Sequence, residues 1–250
     1  MRVGQQTVLA DLRHRIERLE GGKHRRRFLP FAVAAIDSRL PEGGLVLGAL
    51  HEFIEAGPGA EFVGAATLFL AGIAARLEGP VLWCLNRRDL FAPGLMHAGL
   101  HPDRVIYAET FRGRDVLAVM EEGLRERGLA AVIGEVTHLG LTPSRRLQLA
   151  SEASGVPAFA LRRWWTVAEK ELTGLPTAAV TRWRISPFAS HAPPVPGLGR
   201  ARWHVELLRC RGGEPSSWIL EACDAKGRLA LSSDLADGPG KTSSRRAAPG

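Results

Sequence analysis

The sequence predicts an α/β fold with a mostly parallel central sheet flanked by helices and antiparallel strands at its C-terminal end. Three observations carry this. Short continuous apolar runs, "PVLWCLN" (80–86) and "LAAVIGEV" (129–136), read as strands buried on both faces. Stretches with apolar residues at helical spacing lie between such runs. After Leu175 the alternation stops, and strand-like segments follow one another across turns.

The elements follow in order. Residues 7–20, "TVLADLRHRIERLE", place Val8, Leu12, Ile16 and Leu19 on one helical face with charges opposite, and Gly21-Gly22 stops the helix. The basic run "KHRRR" (23–27) comes next. From Phe28 the α/β pattern starts. A Pro-Glu-Gly-Gly turn leads into an apolar strand from Leu45 to Leu50, and a helix is expected over 63–77. Strand 80–86 precedes a short helix in "APGLMHAGL" (92–100) and a strand in "DRVIYAE" (103–109). Residues 113–128 form an amphipathic helix, with Val116, Val119, Met120 and Leu124 on one side. After strand 129–136, "TPSRRLQLASEASG" (142–155) reads as a helix with Thr142 as N-cap and Pro143 in its first position. "VPAFALR" (156–162) is again a strand. Segments 178–187, 202–210 and 216–224 would extend the sheet as an antiparallel edge, with the Pro/Gly-rich stretch 190–201 as loop. The chain thus divides into an N-terminal amphipathic helix and basic linker (1–27), a core domain (28–225) and a C-terminal tail that is disordered in part (226–250).

Composition bounds the function. With 45% apolar residues and no uninterrupted apolar run of about 18, no membrane partner is expected. The polar N-terminus lacks the apolar core of a secretory signal. Three cysteines, Cys84, Cys210 and Cys223, in apolar or strand-like segments argue for reduced thiols, and the expected location is the cytoplasm. No Cys/His spacing suggests a metal, and no cofactor is expected. The net charge of +7 favours nucleic acid or acidic protein surfaces as partners, or reflects a generally arginine-rich proteome.

"GALHEFIEAGPGAEFVGAATLFLAG" (48–72) has the outline of a phosphate-binding loop. Gly57 lies in its turn, and Gly59 and Gly64 match the glycines of G-x-x-x-x-G-K-[ST]. Ala65 and Ala66 replace the lysine and hydroxyl. The Gly-Lys-Thr-Ser of "GPGKTSS" (238–244) lies in the tail, without the strand and helix such a loop needs.

The order of elements over about residues 28–225 resembles the RecA-like ATPase core. "LPEGGLVLGALHEFIEAGPGAEFVG" falls at the phosphate-loop strand and "LAAVIGEV" at the Walker B strand. More closely, "GALHE", "LFAPGL", "SRRLQLASEASGVPA", "TRWRISP" and "ELLRCRGGEPSSW" resemble the ImuA family of bacterial damage-induced mutagenesis. That resemblance implies a RecA-like core with a degenerate P-loop, acting as an accessory to error-prone translesion synthesis in the SOS response. The implied partners are an ImuB-type Y-family polymerase homologue and a second replicative-type DNA polymerase alpha subunit, with RecA and single-stranded DNA as further contacts.

Against the chemistry of an ATPase, several requirements fail together. The lysine that neutralises phosphate and the hydroxyl that holds Mg²⁺ are absent. Thr67 falls one residue late, about 100° around the helix. Glu61 repels triphosphate, and Phe62 is bulky for a loop whose amides must wrap a ligand. Glu135 is the Walker B-like carboxylate, read as a strand-end group or a partner of a neighbour. Asn86, Arg87 and Arg88 stand where a water-activating acid would fall, with Asp89 further on. No catalytic residue is expected. His51 and His138 have no second metal-spaced histidine and read as structural.

Candidate contacts with DNA or a partner are Arg162, Arg163, Trp164, Trp165 and Lys170 in "LRRWWTVAEKELTGLP", where the recombinases have a DNA-binding loop. Arg145 and Arg146 at a helix start, where they oppose the dipole, and Arg87 and Arg88 after a strand are further candidates. Val8, Leu12, Ile16 and Leu19 make a candidate partner helix. The resulting expectation is a non-catalytic adaptor linking polymerase partners to damaged DNA or RecA. The alternatives are a nucleotide-binding switch without the usual lysine and a cell-division inhibitor of the same degenerate fold.

Overall fold

The computed structural model of the protein describes residues 27–163, 166, 174–190 and 199–232. The predicted N-terminal helix with Val8, Leu12, Ile16 and Leu19, the residues Trp164, Trp165 and Lys170, most of the loop 190–201, and the tail from 233 lie outside the described residues.

A short antiparallel pair, β1 (Phe28–Leu29) with β2 (Leu45–Val46), stands apart from the main sheet. Among the described residues the main sheet has nine strands: β3 (Leu50–Glu55), β4 (Val81–Leu85), β5 (Val105–Glu109), β6 (Ala131–Val136), β7 (Ala158–Arg162), β8 (Thr181–Phe188), β9 (Arg202–Cys210), β10 (Ser216–Glu221) and β11 (Ala230–Leu231). Their order is β11-β10-β9-β8-β3-β7-β6-β4-β5. All pairs from β8 through β3 to β5 are parallel, and β8-β9, β9-β10 and β10-β11 are antiparallel. The α-helices among the described residues are α1 (Ala34–Asp37), α2 (Ala60–Ala75), α3 (Ala92–His97), α4 (Asp115–Gly123) and α5 (Leu141–Ser154). The expected mixed α/β class with a mostly parallel sheet is therefore observed.

Side chains alternate across each strand, and the two faces hold separate cores. On one face Phe53, Trp83, Ile133 and Leu161 meet Phe69, Leu70 and Ile73 of α2 and Leu95 of α3. On the other, Leu50, Cys84, Val132 and Ala160 meet Val116 and Met120 of α4 and Leu147 of α5. The first core is aromatic: Phe69 packs 6.1 Å from Phe53 and 6.0 Å edge-on to Trp203, and Trp183 lies 5.3 Å from Phe31. Each fully buried aromatic of this kind contributes roughly 1.5–3 kcal/mol through area removed from water. Helix α2 is apolar on nearly all sides because it is covered twice, by the sheet beneath and by the segment around Cys223 and Gly227 above; a Cβ on Gly72 would collide with Cys223 Sγ.

Four expectations are corrected. The first long strand is Leu50–Glu55, not 45–50. Its charged residues broke the apolar run that marks a buried strand, whereas the fold pairs those charges internally. Residues 45–46 form β2, and Gly48 turns the chain at φ +70°, where a Cβ would meet Gly155 Cα at 3.0 Å. β8 runs parallel to β3, so antiparallel pairing starts only at β9. Helix α5 begins at Leu141 after Gly140, and Thr142 lies inside it; its end at left-handed Gly155 is as read. The sheet also passes residue 225, since β11 pairs with β10.

Candidate functional site

Parallel strands deliver their C-terminal ends to one edge, the usual place for a site in an α/β protein. Here β3, β4, β6 and β7 end in Glu55, Leu85, Val136 and Arg162. Residues from the ends of β6 and β7 and from within β3 form two ion-pair clusters, one on each face of the sheet.

On the α5 face, Glu52 is wholly buried. It accepts hydrogen bonds from Arg162 Nη1 at 2.6 Å, Arg182 Nε at 2.7 Å and Thr177 Oγ1 at 3.0 Å. Arg162 also donates to the Thr137 carbonyl from Nε and Nη2. Burial lowers the Arg162 pKa against the opposing pull of Glu52.

On the α2 face, Arg163 is the hub. Its guanidinium lies 2.9 Å from Asp89, 2.5 Å from Glu135 Oε2 and 3.2 Å from Glu55 Oε1. The Asp89 contact is two-pronged, Nη1 to Oδ1 and Nη2 to Oδ2. Glu135 accepts a second bond, from Trp83 Nε1 at 2.9 Å. Three carboxylates thus share one guanidinium. Burial pushes the Glu135 carboxyl above its usual range, against Arg163 and the Trp83 N–H. Asp89, at the rim, is held below the usual range by its bonds to Arg163. Burial works to lower the Arg163 pKa, but the bonds to Asp89 and Glu135 outweigh it and raise it.

The loop between β3 and α2, whose glycines match the spacing of a phosphate-binding loop, lies beside this hub. The loop is filled by its own side chains: a Cβ on Gly57 would sit 2.7 Å from the Phe62 ring, and one on Gly59 would sit 2.8 Å from Glu61 Oε2. Gly59 has extended backbone, and the neighbour a Cβ would meet there is the end of the flexible, exposed Glu61 side chain. Ala65 and Ala66 are buried in the α2 core. Gly64 faces open space and, with Pro58, Val63, Leu68, Leu90 and Phe91, lines a cavity of about 560 Å³ reached by Thr67, Asp89 and Arg163. The walls are mainly apolar, and Phe91 at the mouth is 70% exposed.

The sequence-predicted contacts fall in three places. Arg162 and Arg163 turn inward and are engaged within the fold, which removes them from surface contact with DNA or a partner; in sequence they looked like a basic loop because their carboxylates are distant in the chain. Arg87 and Arg88 are exposed after β4, with Arg88 Nε 2.6 Å from Glu109. Arg145 and Arg146 are exposed on α5, with Arg146 2.7 Å from Glu121. Glu135 belongs to the Arg163 cluster.

His51 belongs to the core. Its Nε2 faces the Val46 carbonyl at 2.8 Å, which can only accept, so Nε2 carries the proton. Nδ1 accepts from the Thr181 hydroxyl at 2.7 Å, whose oxygen accepts from Trp183 Nε1 at 2.8 Å. Burial lowers the His51 pKa to about 4. His138 is exposed after β6. Sequence reading missed Glu52, Glu55 and Arg182 as site residues. The available signal was two carboxylates inside the apolar segment "LHEFIE", where burial demands partners. Among the described residues no group of His, Cys, Asp and Glu could hold a metal ion, and no helix is long and apolar enough to cross a membrane.

No protein-family model matches the chain. Protein ImuA of Caulobacter vibrioides strain NA1000 / CB15N is 40% identical over 205 residues, covering 79% of this chain and 84% of the relative. Protein ImuA of Caulobacter vibrioides strain ATCC 19089 / CIP 103742 / CB 15 matches to the same extent. At that identity and coverage, the chain belongs to the ImuA family.

Proposed function

We propose that the protein is a non-catalytic, RecA-like adaptor in damage-induced mutagenesis, linking an ImuB-type Y-family polymerase homologue and a second replicative-type DNA polymerase alpha subunit to damaged DNA or RecA. Membership of the ImuA family supports the mutagenesis role and makes the ImuB-type partner the first to test.

The observation that carries the non-catalytic reading is the triple carboxylate contact of Arg163. A nucleotide triphosphate needs cations and free amides where its phosphates rest. The cavity beside Gly59 and Gly64 instead meets Asp89, with Glu55 and Glu135 close behind. The guanidinium of Arg163 there is already committed to those acids. Its apolar walls suit a protein side chain better than a phosphate. Phe62 and Glu61 lie against Gly57 and Gly59, which brings an aromatic ring and a further carboxylate to the loop.

The test is a pull-down from damaged cells. Wild-type protein is compared with Trp164→Ala/Trp165→Ala and with a chain lacking residues 1–27. Recovery of translesion polymerase components, reduced by one of these changes, is the expected result. Recovery of the tubulin-like division protein instead, or no difference among the three, contradicts the proposal.

A further inference from the structure

A second concave surface lies on the other side of the sheet from the Arg163 cavity. It runs between the C-terminal end of α4 and the outer side of α5, encloses about 420 Å³, and has an apolar floor. Ala150, Ala153 and Leu149 supply the exposed part of that floor, and Leu149 is 65% exposed. Beneath it Leu124 is fully buried, so the floor rests on packed core. Around the rim stand Arg125, Arg127 and Arg146. Glu121 lines the groove with them, 2.7 Å from Arg146 and 4.0 Å from Arg125. Glu122 also pairs with Arg125, at 3.0 Å.

From this arrangement we infer that the α4/α5 groove docks an acidic amphipathic helix of a partner protein. The floor provides room for aliphatic side chains at helical spacing, and the arginine rim meets carboxylates on either flank. Charge selects the occupant. The internal segment 167–173, which lies outside the described residues, is under two helical turns long and too short to supply such a helix. The two terminal segments are basic: residues 1–26 hold seven Arg/Lys against three Asp/Glu, and residues 233–250 hold three against two. A second copy carries +7. Each is repelled by the rim, whereas an acidic partner is drawn to it. The inference stands apart from the cavity beside the phosphate loop, and neither depends on the other.

The experiment uses the full chain and a fluorescein-labelled 16-residue peptide with leucines at helical spacing and glutamates on both flanks. Its controls are a scrambled peptide of the same composition and a labelled oligothymidylate. Saturable anisotropy is expected for the patterned peptide, with at least about tenfold weaker binding of the scrambled one. Leu149→Glu and Arg125→Glu/Arg127→Glu should each weaken the patterned peptide by about tenfold or more while leaving the melting temperature near wild type, since these side chains are exposed. Equal binding of the two peptides, no binding, or indifference to Leu149→Glu overturns the inference. So does oligothymidylate binding that the arginine reversals abolish and Leu149→Glu leaves intact, which would assign the rim to nucleic acid.

Discussion

Arg162 and Arg163 are neighbours in the chain, and their guanidinium groups serve opposite faces of the sheet: Arg162 lies 2.6 Å from Glu52, and Arg163 lies 2.9 Å from Asp89. Strand alternation alone produces this division. One pair of residues therefore neutralises buried carboxylates on both sides of β3, and the end of β7 acts as the electrostatic tie between the two halves of the core.

Removing that tie should be costly. Arg163→Ala leaves Glu55 and Glu135 buried without the guanidinium between them, and should destabilise the fold by about 3–5 kcal/mol. Arg88→Ala, whose side chain is 84% exposed, should leave stability close to wild type. Urea unfolding of the two variants makes the comparison. Similar midpoints would mean that the Arg163 cluster contributes no more than a surface pair.

Glu135→Gln keeps an oxygen for the Trp83 N–H and removes one of the three negative charges. Because the folded-state pKa of Glu135 lies above its ordinary value, its contribution is full below about pH 4.5 and is lost as pH rises through the folded value. The stability of the Gln variant relative to wild type should therefore improve from acid to neutral pH. A relative loss over that range would show that the ion pair outweighs burial.

His51 predicts the opposite dependence. Its neutral ring is held by Val46 and Thr181, and its pKa falls from 6.5 to about 4. The unfolded chain binds the proton first, so stability should decline as pH drops from about 6.5 toward 4, by about 3 kcal/mol across the window. Thr181→Val should add a loss of about 1–3 kcal/mol at neutral pH, since it strips a partner from both His51 and Trp183. Thermal melts between pH 4 and 7 read both effects; a flat profile for wild type would contradict them.

Thiol reactivity offers a check on the packing of the α2 face and its neighbour. Burial pushes Cys84 and Cys223 up to about 12. Neither should be alkylated by iodoacetamide at pH 8 in the folded protein, while unfolding in urea should expose all three cysteines. Rapid modification of Cys84 in the native state would mean that β4 is not enclosed as described.

Much of this architecture was legible in the sequence, because apolar runs such as "VLWCL" and "AAVIGEV" mark strands buried on both faces. That Ala65 and Ala66 stand at the lysine and hydroxyl positions of the glycine pattern could be read directly, since it is a local fact of the chain. The first long strand was not, because its start was judged by apolarity, and Leu50–Glu55 carries His51, Glu52 and Glu55. Their partners, Thr181, Arg162, Arg182 and Arg163, lie more than a hundred residues away, beyond any local pattern. For the same reason Arg162 and Arg163 read as surface cations. The sense of β8 was likewise hidden, since its direction follows from how the chain crosses between β7 and β8 rather than from composition.

The measurement that bears most directly on the account is a titration of the purified protein with Mg²⁺ and a labelled ATP analogue, with phosphate release followed in parallel. The account predicts no saturable binding in the micromolar range and no release above background. Mg²⁺-dependent binding with turnover that disappears in Glu135→Gln would contradict it.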